Sequence, residues 1–158
     1  QEVAKIALGI GMNVASTDKY LDSADVTVEF FNGESVKVSI DTISMEEVLK
    51  TSDFISLHVP AQKEYVIGSK EFGMMKEGAV IINAARGGVI DEVALVNALN
   101  NNKLAFAGLD TFENEPKPEI KLLMHPKISL TPHIGAATLE AQDRIGAELS
   151  QQIISILG

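Results

Sequence analysis

The sequence has no cysteine and no tryptophan, and aromatic side chains make up only 5% of its 158 residues. The lack of cysteine excludes a disulfide framework and a thiolate metal site, and it suits a reducing compartment. No apolar run reaches the roughly 20 residues that a membrane-spanning helix needs, and no signal peptide is recognisable. We therefore expect a cytoplasmic protein, without a membrane partner, whose core is mainly aliphatic.

Basic side chains are also scarce, with 13 lysines and arginines against 22 acidic residues and a formal net charge of −9. A nucleic-acid-binding face needs clustered positive charge, so a nucleic acid is not expected as a partner. The three histidines are isolated from one another in sequence, so no metal site is expected. With 46% hydrophobic residues, the chain is long enough for one domain with a sizeable core.

Short apolar segments alternate with helical patterns along the chain, which predicts α/β units around a parallel sheet. The segments predicted as parallel strands are 13–17, 54–59, 79–83, 104–109 and 127–130. Strand-like segments 26–31 and 35–40 flank Asn32-Gly33, a pair typical of a tight hairpin turn. The sequence thus predicts a parallel sheet with an inserted β-hairpin.

The helical segments carry recognisable caps and apolar stripes. Helices are predicted for 1–8, 44–51, 69–75, 91–100 and a long closing segment that Thr138 caps. The helix after Asp91 is expected to turn Val93, Leu95, Val96 and Leu99 inward. The closing helix is expected to have an apolar stripe made of Ala141, Ile145, Leu149, Ile153 and Ile156.

The start of the chain lacks the features that normally begin a nucleotide-binding fold. Residues 1–8 read as a helix already under way, so we expect a fragment that is cut inside its fold. The dinucleotide fingerprint is Gly-x-Gly-x-x-Gly between a strand and a helix. Gly9-Ile10-Gly11 instead follows a helix and has no third glycine, so it predicts a helix C-terminus and a turn.

Three short motifs carry residues that suit the chemistry of a 2-hydroxy acid. They are NAARGG (83–88) with Arg86, DTFENEP (110–116) with Glu115, and TPHIG (131–135) with His133. Arginine grips a carboxylate with a planar fork, while histidine exchanges protons near neutral pH and is oriented by a carboxylate. Taken singly, each has an ordinary alternative: a surface ion pair, a surface loop or a capped turn. Their combination favours catalysis, whereas His58 and His125 lack such partners and are interpreted as structural.

These motifs resemble those of the D-isomer-specific 2-hydroxyacid dehydrogenases, over nearly the whole chain, and most closely the 3-phosphoglycerate-oxidising members. The resemblance implies a Rossmann-like doubly wound parallel sheet, truncated at its N-terminus, in which residues 1–158 are part of an NAD-binding domain. The first strand and glycine loop would lie before Gln1, and the substrate-binding domain would lie outside the chain. In that family the arginine anchors the substrate carboxylate, the histidine is the acid/base and the glutamate pairs with it. Those roles fall on Arg86, His133 and Glu115.

The resemblance also implies NAD as the cofactor. It assigns cofactor contacts to Pro60 at the edge of the cleft, Ala84 and Arg86 through main-chain groups, Asp110 beside the nicotinamide, and His133 with Gly135 in the loop that closes the pocket. Asp18, at the end of predicted strand 13–17, would accept hydrogen bonds from the adenosine ribose and disfavour the 2′-phosphate of NADP. The ordinary alternative for Asp18 is a turn aspartate.

The implied reaction is hydride transfer between a D-2-hydroxy acid and nicotinamide, with 3-phosphoglycerate as the favoured substrate and serine biosynthesis as the pathway. D-Lactate, glyoxylate and hydroxypyruvate are alternatives. A second hypothesis is an NAD-sensing binding protein on the same fold, similar to the C-terminal-binding-protein corepressors. A homodimer is expected by resemblance, and the isolated fragment is expected to be inactive or nearly so.

Overall fold

The computed structural model describes residues 1–157, which form two compact units. The first unit contains residues 1–52 and 74–76, and the second contains residues 53–73 and those from 77 onward. In the first unit the elements are α1 (Glu2–Gly9), β1 (Ser23–Glu29), β2 (Ser35–Asp41) and α2 (Met45–Thr51).

The first unit is built on the predicted hairpin. Strands β1 and β2 pair antiparallel from Ser23 opposite Asp41 to Glu29 opposite Ser35. Gly33 has a φ of +84° in the connecting turn, a conformation that glycine adopts without steric cost. The hairpin prediction is therefore confirmed, although β1 lies two to three residues earlier than predicted and β2 ends one residue later.

The helices of the first unit lie within one residue of their predicted bounds. Helix α1 ends at Gly9, and Gly11 follows with a φ of +82°, so the interpretation of Gly9-Ile10-Gly11 as a helix end is confirmed. At α2, the Ser44 hydroxyl accepts a hydrogen bond from the Glu47 backbone N–H at 3.2 Å.

The prediction of a strand at residues 13–17 is wrong. That segment has a single parallel bridge between Ser16 and Thr42, with the Ile43 N–H donating to the Ser16 carbonyl at 2.8 Å. A strand forms only where a neighbouring strand pairs with it along its length, and the apolar pattern of a segment does not show whether such a partner exists.

The second unit is a four-stranded parallel sheet with the order β3-β4-β5-β6. Its elements are β3 (Phe54–Leu57), α3 (Ser69–Met74), β4 (Ala79–Asn83), α4 (Glu92–Asn100), β5 (Leu104–Leu109), α5 (Ile120–Leu123), β6 (Ile128–Leu130) and α6 (Leu139–Leu157). The predicted bounds of β4 and β5 agree with the structure, and the short helix α5 was not predicted.

One face of this sheet is packed and the other is open within the described residues. Ile55, Ile81 and Ala107 lie side by side on the packed face and are buried. Phe54 and Phe106 lie on the opposite face with 57% and 55% of their surface exposed. The prediction that segment 54–59 is a buried strand is therefore wrong for half of its side chains, and the strand ends at Leu57.

Helix α4 covers the packed face with a different stripe from the one predicted. Ala94, Leu95, Ala98 and Leu99 are buried, whereas Val93 is 71% exposed. The spacing of 94, 95, 98 and 99 follows the 3.6-residue period, and Val93 falls on the outer side of that stripe.

Helix α6 begins after Thr138, whose hydroxyl accepts a hydrogen bond from the Ala141 N–H at 3.1 Å, as the cap predicted. Of its expected stripe only Ala141 is buried, and Ile145, Leu149, Ile153 and Ile156 are exposed. Within residues 1–157, no helix is both long and apolar enough to span a membrane.

A buried hydroxyl in the second unit allows a stability prediction. Thr111 is 1% exposed, and its Oγ1 has no hydrogen-bond partner among the described residues. We expect Thr111→Val to raise the free energy of unfolding by about 1 kcal/mol, because valine has the same shape without the buried polar atom. Urea denaturation measures the change. Thr131→Val is the matched control and should lower that free energy, because the Thr131 hydroxyl donates to Asp110 at 2.6 Å.

Candidate active site

The three motifs follow three neighbouring strands of the parallel sheet. Arg86 comes after β4, Glu115 after β5 and His133 after β6, so all three lie in loops at the carboxyl edge of the sheet. Ligands of open α/β sheets bind at this edge. A pocket of about 170 Å³ opens here, lined by residues 82–84, 108–110 and 129–131. We refer to it as the carboxyl-edge pocket.

The structure brings His133 and Glu115 together. His133 Nδ1 and Glu115 Oε2 are 2.8 Å apart, and Glu115 Oε1 accepts a hydrogen bond from the Phe112 N–H at 2.9 Å. These two interactions, the one with His133 being the larger, hold the pKa of Glu115 below its usual value. Because Nδ1 faces the carboxylate, Nε2 is the ring nitrogen that can exchange a proton with a ligand.

The backbone at His133 adopts a conformation that histidine uncommonly takes. Its φ is +55°, in the left-handed region that costs a non-glycine residue about 1–2 kcal/mol. The following two residues are held in place, since the Ile134 and Gly135 N–H groups both donate to Asp110 at 2.8 Å. These bonds fix the loop that aims the imidazole at Glu115.

Asp110 is the centre of this loop network. Its Oδ1 accepts from Ile134 and from the Thr131 hydroxyl, and its Oδ2 accepts from Gly135. Burial acts to raise the pKa of Asp110, but these hydrogen bonds outweigh burial and hold the pKa below its usual value. A Cβ on Gly135 would lie 2.9 Å from Asp110 Oδ2, so glycine permits this close approach. Asp110 lines the carboxyl-edge pocket, and its predicted contact with nicotinamide stays a prediction.

The Asp110 network makes stability depend on pH in the acid range. A carboxyl group whose pKa is lower in the folded than in the unfolded chain stabilises the fold. The contribution is complete when the pH is above the unfolded-state pKa, which is near 3.8 for aspartate. That contribution is lost as the pH falls through the folded pKa. We expect Asp110→Asn to destabilise the chain at pH 6 and to have a much smaller effect at pH 2, measured by urea denaturation at both pH values. An equal destabilisation at the two pH values would contradict the prediction.

The loop that carries Arg86 is folded by Asn83, which sequence reasoning missed. Asn83 is 2% exposed; its Nδ2 donates to the Arg86 carbonyl at 2.9 Å, and its Oδ1 accepts from the Ala85 N–H at 3.1 Å. Its position at the end of a buried strand, directly before Ala84-Ala85-Arg86, is the signal that could have identified it. The Arg86 side chain is exposed, and its Nη1 donates to the Ala85 carbonyl at 2.6 Å.

The Arg86 loop also touches the segment that carries Glu115. A Cβ on Gly87 would lie 1.9 Å from the Phe112 carbonyl oxygen, so the two backbones are in direct contact there. A second pocket of about 540 Å³ lies beside this contact, lined by residues 62–65, Gly87, Gly88, Glu113 and Asn114. Sequence reasoning assigned no role to residues 62–65.

The other predicted cofactor residues have the following positions. Ala84 is exposed and lines the carboxyl-edge pocket. Pro60 is exposed, and its carbonyl accepts a hydrogen bond from Gln62 Nε2 at 3.1 Å. Asp18, in the first unit, is exposed, and its Oδ1 accepts from the Tyr20 and Leu21 N–H groups as a turn aspartate does. A ribose would have to compete for that oxygen or use Oδ2.

The other two histidines have local partners. His58 Nε2 lies 2.9 Å from the Ser56 hydroxyl, and burial lowers the pKa of His58. His125 Nε2 lies 3.2 Å from Asn100 Oδ1, and His125 Nδ1 accepts from the Lys127 N–H. His125 precedes β6 and therefore lies at the amino edge of the sheet, away from the three motifs.

Comparison with known proteins shows the family to which the chain belongs. The sequence model of the D-isomer specific 2-hydroxyacid dehydrogenase, NAD binding domain, matches residues 1–135. The chain is 43% identical over 163 residues to the hydroxypyruvate reductase of Thermotoga maritima, with all of this chain aligned to 49% of that protein. It is 39% identical over 159 residues to D-3-phosphoglycerate dehydrogenase 3, chloroplastic, of Arabidopsis thaliana, with 99% of this chain aligned to 26% of that protein.

The fold has close counterparts among solved structures. The crystal structure of D-lactate dehydrogenase from Aquifex aeolicus, complexed with NAD and lactic acid, superposes with a TM-score of 0.74 at 30% identity and covers 98% of this chain and 49% of that one. The predicted α/β, Rossmann-like fold is confirmed. The chain spans about half the length, or less, of these relatives.

Proposed function

The chain belongs to the NAD-binding domain of the D-isomer-specific 2-hydroxyacid dehydrogenases, as its motifs predicted, and on that premise we propose that the whole protein interconverts a D-2-hydroxy acid and its 2-oxo acid with NAD. The observation that carries the proposal is the pair of His133 and Glu115 beside the carboxyl-edge pocket. An imidazole held by a carboxylate at this edge is suited to move a hydroxyl proton.

NAD is the cofactor of this family, and the residues of the second unit fit its nicotinamide end. Ala84 and Gly108 are small residues that line the carboxyl-edge pocket, so a planar ring could approach the backbone there. Asp110 and Gly135 stand beside them, and Asp18 and Pro60 are proposed for the adenosine side and the edge of the cleft. When bound, NAD supplies the carbon that accepts or donates the hydride.

His133 is the proposed acid and base. In oxidation its neutral Nε2 takes the proton of the substrate hydroxyl, and in reduction the imidazolium returns one to the oxygen. Glu115 holds the ring by Nδ1, fixes its tautomer and stabilises its charged form. A positioned group of this kind contributes about a hundred- to ten-thousand-fold in rate.

Arg86 is the proposed anchor of the substrate carboxylate. Its exposed guanidinium stands at the same edge of the sheet as His133, and one nitrogen is held by the Ala85 carbonyl. The planar fork can grip a carboxylate in two places and so present the adjacent hydroxyl carbon in one orientation.

We favour 3-phosphoglycerate as the substrate, with hydroxypyruvate as the competing one. The relatives named hydroxypyruvate reductase and D-3-phosphoglycerate dehydrogenase support these two substrates. Both compounds carry an oxygen on C3, the carbon bonded to the reacting C2. Oxidation of 3-phosphoglycerate would place the whole protein in serine biosynthesis. A cytoplasmic homodimer is the location and assembly that we propose with it.

A substrate panel on the purified whole protein tests the proposal. NADH formation is followed with 3-phosphoglycerate, D-glycerate and D-lactate, and NADH consumption with hydroxypyruvate and glyoxylate. Turnover of one of these acids above the others supports the proposal and names the substrate. Tight NADH binding without turnover of any acid would overturn it and favour an NAD-sensing binding protein.

A further inference from the structure

Two glutamates outside the proposed dyad bind each other's backbone. Glu92 Oε1 accepts a hydrogen bond from the Glu113 N–H at 2.8 Å, and Glu113 Oε1 accepts one from the Glu92 N–H at 2.9 Å. The two residues are 21 positions apart, so the exchange is a tertiary contact between α4 and the segment after β5. We call this exchange the glutamate clamp.

The clamp satisfies the start of helix α4. The first N–H groups of a helix have no partner within it, and the positive end of the helix favours carboxylates. Asp91 accepts from the Ala94 N–H at 2.9 Å, and Glu113 provides the acceptor for the Glu92 N–H. Glu92 is 7% exposed, and burial, the largest influence, raises its pKa. The hydrogen bond from the Glu113 N–H satisfies one oxygen of this buried carboxyl.

Glu113, which the glutamate clamp holds, directly follows Phe112, whose backbone binds Glu115. Phe112 donates its N–H to Glu115 Oε1, and Phe112 is also the residue whose carbonyl lies against Gly87. Because residue 113 is bonded to the start of α4, the neighbouring residue 112 is held in place as well. Through residue 112 the glutamate clamp fixes the carboxylate that pairs with His133 and the contact with the Arg86 loop.

Tyr65 completes the surroundings of Glu113. Its hydroxyl donates to Glu113 Oε2 at 3.2 Å, and the charge of Glu113 is the largest influence that raises the pKa of Tyr65. Asp91 and Glu92 are the other charged groups that act on this tyrosine. His133 and Asp110 are charged groups that act on Glu115, and Glu115 in turn acts on Glu92 by charge.

We propose that Glu113, held by Glu92 at the start of α4, is a positioning residue that sets the Glu115 carboxylate for its pairing with His133. This role rests on the proposed function and deepens it. It acts through Glu115 and the Phe112 backbone, and Glu113 itself need not touch the substrate.

The test is the carboxyl titration of Glu115, followed by carbon-13 NMR in the chain of residues 1–158. In Glu113→Ala the acceptor for the Glu92 N–H is lost, so the turn loosens and the Glu115 pKa should rise towards 4.5. In Glu113→Gln the amide oxygen still accepts that bond and only the charge is lost, so the Glu115 pKa should stay or fall. The opposite signs separate positioning from simple electrostatics. Glu119→Ala removes an exposed carboxylate of the same segment and should produce no rise.

A second pair of variants decides the matter if Glu113→Ala does not fold. Glu92→Ala removes the acceptor for the Glu113 N–H while adding a favourable helix residue, and Glu92→Gln keeps an acceptor. The Glu115 pKa should be higher in Glu92→Ala than in Glu92→Gln. Equal values in both pairs, or a lower value in the alanine variants, overturn the inference.

Activity of the whole protein gives an independent measurement. Glu113→Ala should lower kcat by about ten- to a hundred-fold, as a small misplacement of a catalytic group does, and Glu113→Gln should retain more of the rate. The titrations need no substrate, so they can succeed even where the whole protein shows no dehydrogenase activity, which would refute only the proposed function. Activity that depends on His133 while the titrations show no shift would refute only the positioning role.

Discussion

Replacing His133 with asparagine is expected to lower kcat of the whole protein by about a hundred- to ten-thousand-fold, with little change in the affinity for NADH. Asparagine can still form a hydrogen bond with Glu115, and it tolerates the left-handed φ of +55° better than most side chains. What it lacks is a group that takes and returns a proton near neutral pH. Steady-state rates with the preferred acid, together with NADH fluorescence titration, measure the two quantities.

His125→Asn is the matched control for that substitution. His125 has the same chemistry but lies before β6 at the amino edge, bonded to Asn100 and to the Lys127 N–H. It should leave kcat near the wild-type value. A similar loss of rate in both variants would show that the His133 effect comes from general damage to the fold, and a His133→Asn protein with wild-type kcat would refute the assigned role.

Gly87→Ala is expected to be the most damaging glycine-to-alanine change among residues 1–157. The added Cβ would lie 1.9 Å from the Phe112 carbonyl oxygen and 2.5 Å from its carbon, so one of two backbones must move. Overpacking of this kind costs about 1–3 kcal/mol of the free energy of unfolding or more. It also separates the Arg86 loop from the segment that holds Glu115. Urea denaturation of the chain and kcat/KM of the whole protein should both fall.

Two other glycines separate the steric contact from backbone preference. Gly88 has a φ of +74° but open space around its Cβ position, so Gly88→Ala should cost only the strain of about 1–2 kcal/mol. Gly73 lies within α3 with open space and no unusual φ, and Gly73→Ala should stabilise the chain by about 0.5–1 kcal/mol. If Gly87→Ala were no more harmful than Gly88→Ala, the contact with Phe112 would be loose and the prediction would be wrong.

The elements that the sequence predicted well are those whose signals are local. Strands β4 and β5 are continuous apolar segments in the centre of a parallel sheet, so both of their faces read alike. The predicted caps Ser44, Asp91 and Thr138 each accept a hydrogen bond from a backbone N–H in the first turn of their helix. A side chain and a backbone group three residues apart need no distant partner to form such a bond.

The predictions that were wrong concern partners. Segment 13–17 has the composition of a strand but pairs only at Ser16 with Thr42, and Phe54 belongs to a strand whose outer face is exposed. Val93 is apolar, yet it lies on the outer side of α4. In each case the side chain has the expected apolar or strand-forming character, but its burial or pairing depends on which elements lie next to it in the fold.

By itself, the sequence determined the family, through three separate motifs that contain an arginine, a glutamate and a histidine and that each follow a strand of a Rossmann-like domain. Only the tertiary structure decided that Glu115 meets His133 at 2.8 Å, that Asp110 binds the loop residues 24 and 25 positions ahead, and that Glu113 and Glu92 exchange backbone bonds. These contacts join loops that lie far apart along the chain. They form because parallel strands bring their carboxyl ends to one edge of the sheet. The separation of two residues along the sequence does not reveal how far apart they lie in space.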